Sequence, residues 1–140
     1  MNRIKLTILL LFIALTSFCQ KIPDTKNQSV EDTTVYDLTA INDKPQFVGG
    51  ESELSSFINK NLQYPQEEKN NGLQGRVYIT FVIDRDGSVT NVELYKGLKD
   101  GPGCDKEAIR IVGLMPKWIP GKVNGHPAKV RYIVPIKFQL

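Results

Sequence analysis

The chain is poor in the residues that most often carry chemistry or cross-links. Its 140 residues include two cysteines, one histidine, one tryptophan and two methionines. It also lacks a charge surplus, with 18 basic residues against 15 acidic ones. No internal repeat is visible, and no apolar run reaches the roughly 20 residues that a spanning helix needs.

The longest apolar run, residues 6–18, "LTILLLFIALTSF", follows Arg3 and Lys5. A basic start followed by a short apolar stretch is the pattern of a secretory signal. Ser17 and Cys19 are small residues at the −3 and −1 positions for cleavage before Gln20. Residues 1–19 are therefore expected to be a signal peptide. Acylation at Cys19, which bulky Phe18 disfavours, and an uncleaved short anchor are the alternatives. Cleavage removes Arg3 and Lys5, leaving 16 basic against 15 acidic residues, a net of +1. That balance argues against nucleic acid as a partner, because phosphate binding needs a basic surplus on one face. Cleavage also leaves Cys104 alone, so no intramolecular disulfide can form. One cysteine and one histidine cannot hold a structural zinc. No cofactor or metal is expected.

Residues 20–44, "QKIPDTKNQSVEDTTVYDLTAINDK", are polar with little periodicity and read as a flexible tether. From Pro45 the pattern changes. Leu54, Phe57, Ile58 and Leu62 form one helical stripe, and Pro65 stops that helix before Tyr64. "GRVYITFVID" alternates, with Val77, Ile79, Phe81 and Ile83 on one face and Tyr78, Thr80 and Val82 on the other. Apolar groups on both faces mark a central strand. Asp84-Arg85-Asp86-Gly87 is a turn, Gly87 being free to take positive φ. "SVTNVELYK" returns as the second strand of a hairpin, with Val92 and Leu94 toward the core. "DKEAIRIVGLM" reads as a second helix, N-capped by Asp105, with a stripe of Ala108, Ile109, Val112 and Met115. In "AKVRYIVPIKFQL", Val130, Tyr132, Val134, Ile136 and Phe138 share one face. Pro135 in that strand places it at a sheet edge. The expectation is an α+β domain over residues 45–140: two helices on one face of a three-stranded antiparallel sheet, order 2-1-3.

Three chemical readings yield to plainer ones. Asp84-x-Asp86-Gly87 begins like a calcium loop, but the later ligands are missing. Gly121-Lys122 lacks the earlier glycine and the hydroxyl residue of a phosphate loop. Cys104 would precede a helix start, but its only imidazole candidate, His126, lies in a turn beside a proline. It reads as a small buried thiol, and nothing in the chain points to an enzyme.

"YP" at 64–65, "GRVYITFVIDRDGSV" at 75–89, "NV" at 91–92, "EA" at 107–108 and "MPKWIPGKVNG" at 115–125 together resemble the C-terminal domain of TonB. The likeness is to the short TonB-domain proteins typical of Bacteroidetes and covers residues 45–140. It implies a periplasmic domain that grips an extended receptor peptide, the TonB box, in energy-coupled transport across the outer membrane. The peptide would add to the last strand, main-chain bonds giving affinity and side-chain pockets selectivity. Carried onto this sequence, the partner-binding residues are Val130, Arg131, Tyr132, Ile133, Val134, Ile136 and Lys137. Asn61, Leu62 and Gln63 form a second contact, where Asn61 and Leu62 depart from the family's Gln-Pro pattern. Strand addition tolerates Pro135 if the missing N–H points away from the peptide. Tyr64, Pro65, Gly87, Trp118, Pro120, Gly121 and Gly125 are expected to be structural. The family's energy transducer also carries an anchor and a long Pro-rich span. A cleaved chain with a short tether would instead be a free envelope adaptor, and contact with the inner membrane requires an uncleaved N-terminus. The same edge could also pair with itself in a homodimer.

Overall fold

The computed structural model describes residues 32–140; the expected signal and tether residues 20–31 lie outside them. The elements run β1 (Val35–Asp37), a 3-10 turn at Leu38–Ala40, α1 (Glu51–Asn61), α2 (Gln66–Asn70), β2 (Gly75–Ile83), β3 (Val89–Lys96), α3 (Pro102–Gly113), β4 (Lys122–Val123), β5 (His126–Pro127) and β6 (Lys129–Phe138). The main sheet has the order β1-β6-β2-β3. Its last three strands reproduce the expected antiparallel 2-1-3 arrangement. The fourth is a correction: Val35, Tyr36 and Asp37 pair in parallel with Lys129, Val130 and Arg131. The part of the expected tether within residues 32–44 is thus built into the fold. Val35 and Tyr36 are good strand formers that find an unpaired edge, and Ile41 is buried beyond them.

The core lies on one face of the sheet. Val77, Ile79, Phe81 and Ile83 of β2 meet Val134, Ile136 and Phe138 of β6 there. Leu54 and Ile58 of α1 and Cys104, Ala108, Ile111 and Val112 of α3 cover them. The opposite face carries Tyr78, Thr80, Arg131, Ile133 and Lys137, which are half-buried or exposed among the described residues. Among the described residues no helix is long and apolar enough to cross a membrane.

Both major helices form, with a changed boundary. α1 ends at Asn61, before Tyr64 as its stripe predicts, and carries Glu51 and Glu53 in its first turn, where they oppose the helix dipole. α3 starts earlier than expected, at Pro102, because proline's fixed φ suits the first helical position. Asp105 therefore lies inside the helix, and its carboxylate accepts the Leu98 N–H at 2.8 Å instead of capping. The buried stripe includes Ile111 in place of Ile109, which is exposed. α2 was not expected. Its polar residues are held by Glu68, whose buried carboxylate accepts the Gly103 N–H at the start of α3, 2.6 Å away.

β3 also departs from its simple pattern. The register slips between Tyr78 and Ile79 and again between Thr80 and Val82. Each slip places one extra residue in β3, and Asn91 takes φ 49°. Such bulges bend a strand and turn side chains outward. Val92 packs on the core as expected, but Leu94 is 43% exposed.

The crowded corner between α3 and β6 is a connector. Trp118 is buried, edge-on to Phe47 and Phe81 and 5.0 Å from Tyr132 between ring centroids. Its main-chain N–H donates to the Gly87 carbonyl at 2.8 Å. Gly87 has φ +86°, and a Cβ there would lie 2.0 Å from the Trp118 oxygen. The hairpin turn and the tryptophan corner therefore dock main chain to main chain. Pro120 is followed by Gly121, where Pro45 and Val130 approach too closely for a side chain. Asn124 and Gly125 both take positive φ, as a type I′ turn between β4 and β5 requires. His126 sits exposed beside it, Nδ1 3.0 Å from the Asn124 carbonyl.

Replacing Trp118 with alanine should lower unfolding free energy by about 3–5 kcal/mol, read as a lower urea midpoint with unchanged slope. A variant as stable as the parent would mean that the indole is not the keystone of this corner.

Candidate functional site: the outer edge of β6

β6 is paired with β2 from Val130 to Phe138 but with β1 only at Lys129–Arg131. Beyond Arg131 its outer edge meets no other strand among the described residues. α1 runs beside this open part. The Tyr132 hydroxyl donates to Glu51 Oε1 at 3.3 Å at one end. Tyr64 meets Phe138 edge-on at 5.5 Å at the other. Tyr64 directly follows residues 61–63, so its ring ties that segment to the Phe138 end of β6.

In an antiparallel ladder, successive residues aim their main-chain groups alternately toward a neighbour and away from it. The β2–β6 register is unbroken from Gly75↔Phe138 to Ile83↔Val130 and passes through Tyr78↔Pro135. Proline has no N–H to give, so its position in such a ladder is one that faces away from β2. By alternation Ile133 and Lys137 also face outward, while Val134, Ile136 and Phe138 face β2. The open edge offers N–H and C=O at Ile133 and Lys137, and only C=O at Pro135. The missing donor thus falls on the open edge, contrary to the orientation that would leave the donor row intact.

The predicted partner-binding residues divide by face. Val130, Val134 and Ile136 are buried in the core, so they can offer only main chain to a partner. Val130 and Arg131 are already paired with β1. Arg131, Ile133 and Lys137 project on the uncovered sheet face, and Tyr132 lies on the core side, partly buried. Burial, then the nearby Glu51 charge, raises the Tyr132 phenol above its usual pKa, so it stays protonated and donates.

Residues 61–63 are fixed from behind by α3. Glu107 Oε1 accepts the Gln63 N–H at 2.8 Å, and Arg110 donates to the Asn61 carbonyl at 2.8 Å. Arg110 also grips Glu107 in a two-pronged pair, at 2.6 and 2.8 Å. Burial pushes the Glu107 carboxyl up, but the bonds from Arg110 and Gln63 outweigh it and hold the pKa below the ordinary range. Sequence reasoning missed both residues. An acidic–basic pair at i, i+3 on a helix is a common surface pattern, and its cross-chain partners are tertiary.

The remaining chemical candidates are structural. The Cys104 thiol is fully buried, and burial, then the charges of Glu68, Asp105 and Glu107, push it up to about 11. It is a thiol, not a thiolate, at neutral pH. Asp86 binds the Ser88 N–H and hydroxyl at 2.9 and 2.8 Å, closing the hairpin turn on itself. Among the described residues no three His, Cys, Asp or Glu side chains are grouped so as to hold a metal ion.

The family model for the C-terminal domain of the Gram-negative bacterial TonB protein matches residues 60–140, more than half of the chain. The chain belongs to the TonB C-terminal family. Two solution structures of the Helicobacter pylori TonB C-terminal domain are similar to it at 24% identity. The longer fragment is covered over 78% of its length and 64% of this chain, with TM-score 0.48. For the shorter the values are 90%, 63% and 0.46. Among curated protein sequences, none matches. TonB C-terminal domains are protein-interaction modules of energy-coupled transport.

The Glu107 lock makes a pH-dependent prediction. Its folded pKa is depressed, so its contribution is present above the unfolded carboxyl pKa, about 4.3, and is lost as pH falls through the folded value. Glu107→Gln should therefore be less stable than the parent at pH 7, by roughly 1–2 kcal/mol. The gap should close below about pH 4. Urea melts across pH check this; a gap that does not change with pH would remove the charged pair from the account.

Proposed function

We propose that this TonB-family domain acts in the periplasm. There the outer edge of β6 captures an extended TonB-box segment of an outer-membrane receptor by strand addition. The observation that carries the reading is the asymmetry of the sheet's edges. β3 is bulged twice and bent away from regular pairing, whereas β6 keeps an unbroken register and an open outer side beyond Arg131. A regular, unpaired edge is what β-augmentation needs. It works by binding, without bond chemistry.

The β1 pairing narrows the accessible edge from residues 130–137 to 132–138. The gap at Pro135 limits the main-chain bonds that an added strand can make, so side chains must supply more of the affinity. Pro135 also blunts the edge against pairing with a second copy, since an interrupted donor row is a poor template for itself.

Titration of the isotope-labelled chain with a synthetic TonB-box peptide should shift the amides of Ile133 and Lys137. Ile133→Pro, which removes one of the two outward donors without touching the β2 ladder, should weaken binding about tenfold. A peptide that binds without moving either amide would place its site elsewhere and end the strand-addition reading.

A further inference from the structure

A recess of about 480 Å³ opens where β1 ends and the free edge of β6 begins. Its walls are Leu38, Pro45, Phe47, Gly50, Glu51 and Tyr132, with Lys44 and Gln46 beside them. Seven of these eight residues come from residues 38–51, upstream of the family match at 60–140. Only Tyr132 belongs to the matched region. The recess is therefore built almost entirely from residues outside the family match.

The recess is also rigidly built. Gln46 and Ile119 exchange two main-chain bonds, at 3.0 and 2.8 Å, and the Lys122 N–H donates to the Asp43 carbonyl at 2.9 Å. Phe47 is wedged edge-on against Trp118 at 5.4 Å, and Trp118 backs Tyr132. A preformed apolar pocket loses little in ordering when it is filled. Its two charged residues, Lys44 and Glu51, are of opposite sign, so selection rests on apolar fit.

We infer that this recess is a selectivity pocket for one large apolar side chain of the strand that adds to β6. The inference rests on the strand-addition reading and deepens it. Residues directly across a ladder put their side chains on the same face. Tyr132 points to the core side, so the partner residue beside it points to that side too, into the recess. The next two residues on that face of the partner strand lie beside Val134 and Ile136, along α1. A bulky apolar residue at the end of the strand lying next to Tyr132 is thus the feature that this protein selects, and it compensates for the donor missing at Pro135.

The test uses the full chain and seven-residue peptides, Thr-Xaa-Thr-Val-Thr-Xaa-Thr, with Phe, Leu, Ala or Glu as Xaa, so that one Xaa lies beside Tyr132 whichever way the strand runs. The Phe and Leu peptides should bind at least about tenfold more tightly than the Ala peptide, and Glu should bind worst. Binding should shift the amides of Leu38, Phe47 and Gly50 together with those of Ile133 and Lys137. Leu38→Glu, which puts a charge in the wall, should reduce the Phe-over-Ala preference to less than about twofold. If all peptides shift Ile133 and Lys137 with equal affinity, the pocket inference fails while strand addition stands. If no peptide shifts those two amides, both fail. Shifts at the recess that follow protein concentration instead of peptide would make a second copy the occupant and overturn the inference.

Discussion

β6 is held to β2 by nine residue pairs on its inner side and to β1 by three on its outer side. This unequal pairing sets most of what the domain can do. The long inner ladder fixes which side chains of β6 enter the core and which face the uncovered side. It also fixes the direction of every main-chain donor on the strand. The short outer ladder covers one end and leaves the rest available. A slip of one residue in the inner ladder would exchange the two faces and ruin the core, so the edge is as well specified as the core itself.

That register depends on how the chain enters β6. The hairpin between β2 and β3 ends in Gly87, whose carbonyl holds the Trp118 N–H and whose lack of a side chain lets the corner approach. Trp118 then locks Phe47, Phe81 and Tyr132 into one aromatic cluster. The rare residues gathered between α3 and β6 are thus scaffolding. They deliver a strand to a sheet edge, and the same cluster stiffens the recess beside it.

Much of the architecture was legible in the sequence because it follows local periods. The stripe through Leu54 and Ile58, the alternation of β2 and β6, and the punctuation by Pro65, Gly87 and Asn124-Gly125 each reflect near-neighbour geometry. Pro135 marked a strand with an open side, although β1 covers its first three residues. What escaped is tertiary. β1 has three residues, too few for a period, and exists because β6 offers it an edge. α2 has no apolar stripe and depends on Glu68 reaching Gly103. The two glycines around Pro102 disguise the start of α3, and the bulges in β3 arise from slips that no alternation pattern contains. At the site, the edge could be read from the alternation of β6 and its proline. The recess could not, because seven of its residues lie in one segment without a period and meet Tyr132 only when that segment folds back.

The account stands on the outer edge of β6 being open in the free protein, with its donors at Ile133 and Lys137. Residue-by-residue amide hydrogen exchange of the unliganded chain tests this most directly. Val134, Ile136 and Phe138, facing β2, should exchange slowly, while Ile133 and Lys137, facing outward, should exchange orders of magnitude faster. Equal protection at all five positions would mean that the edge is already covered, and would contradict the account.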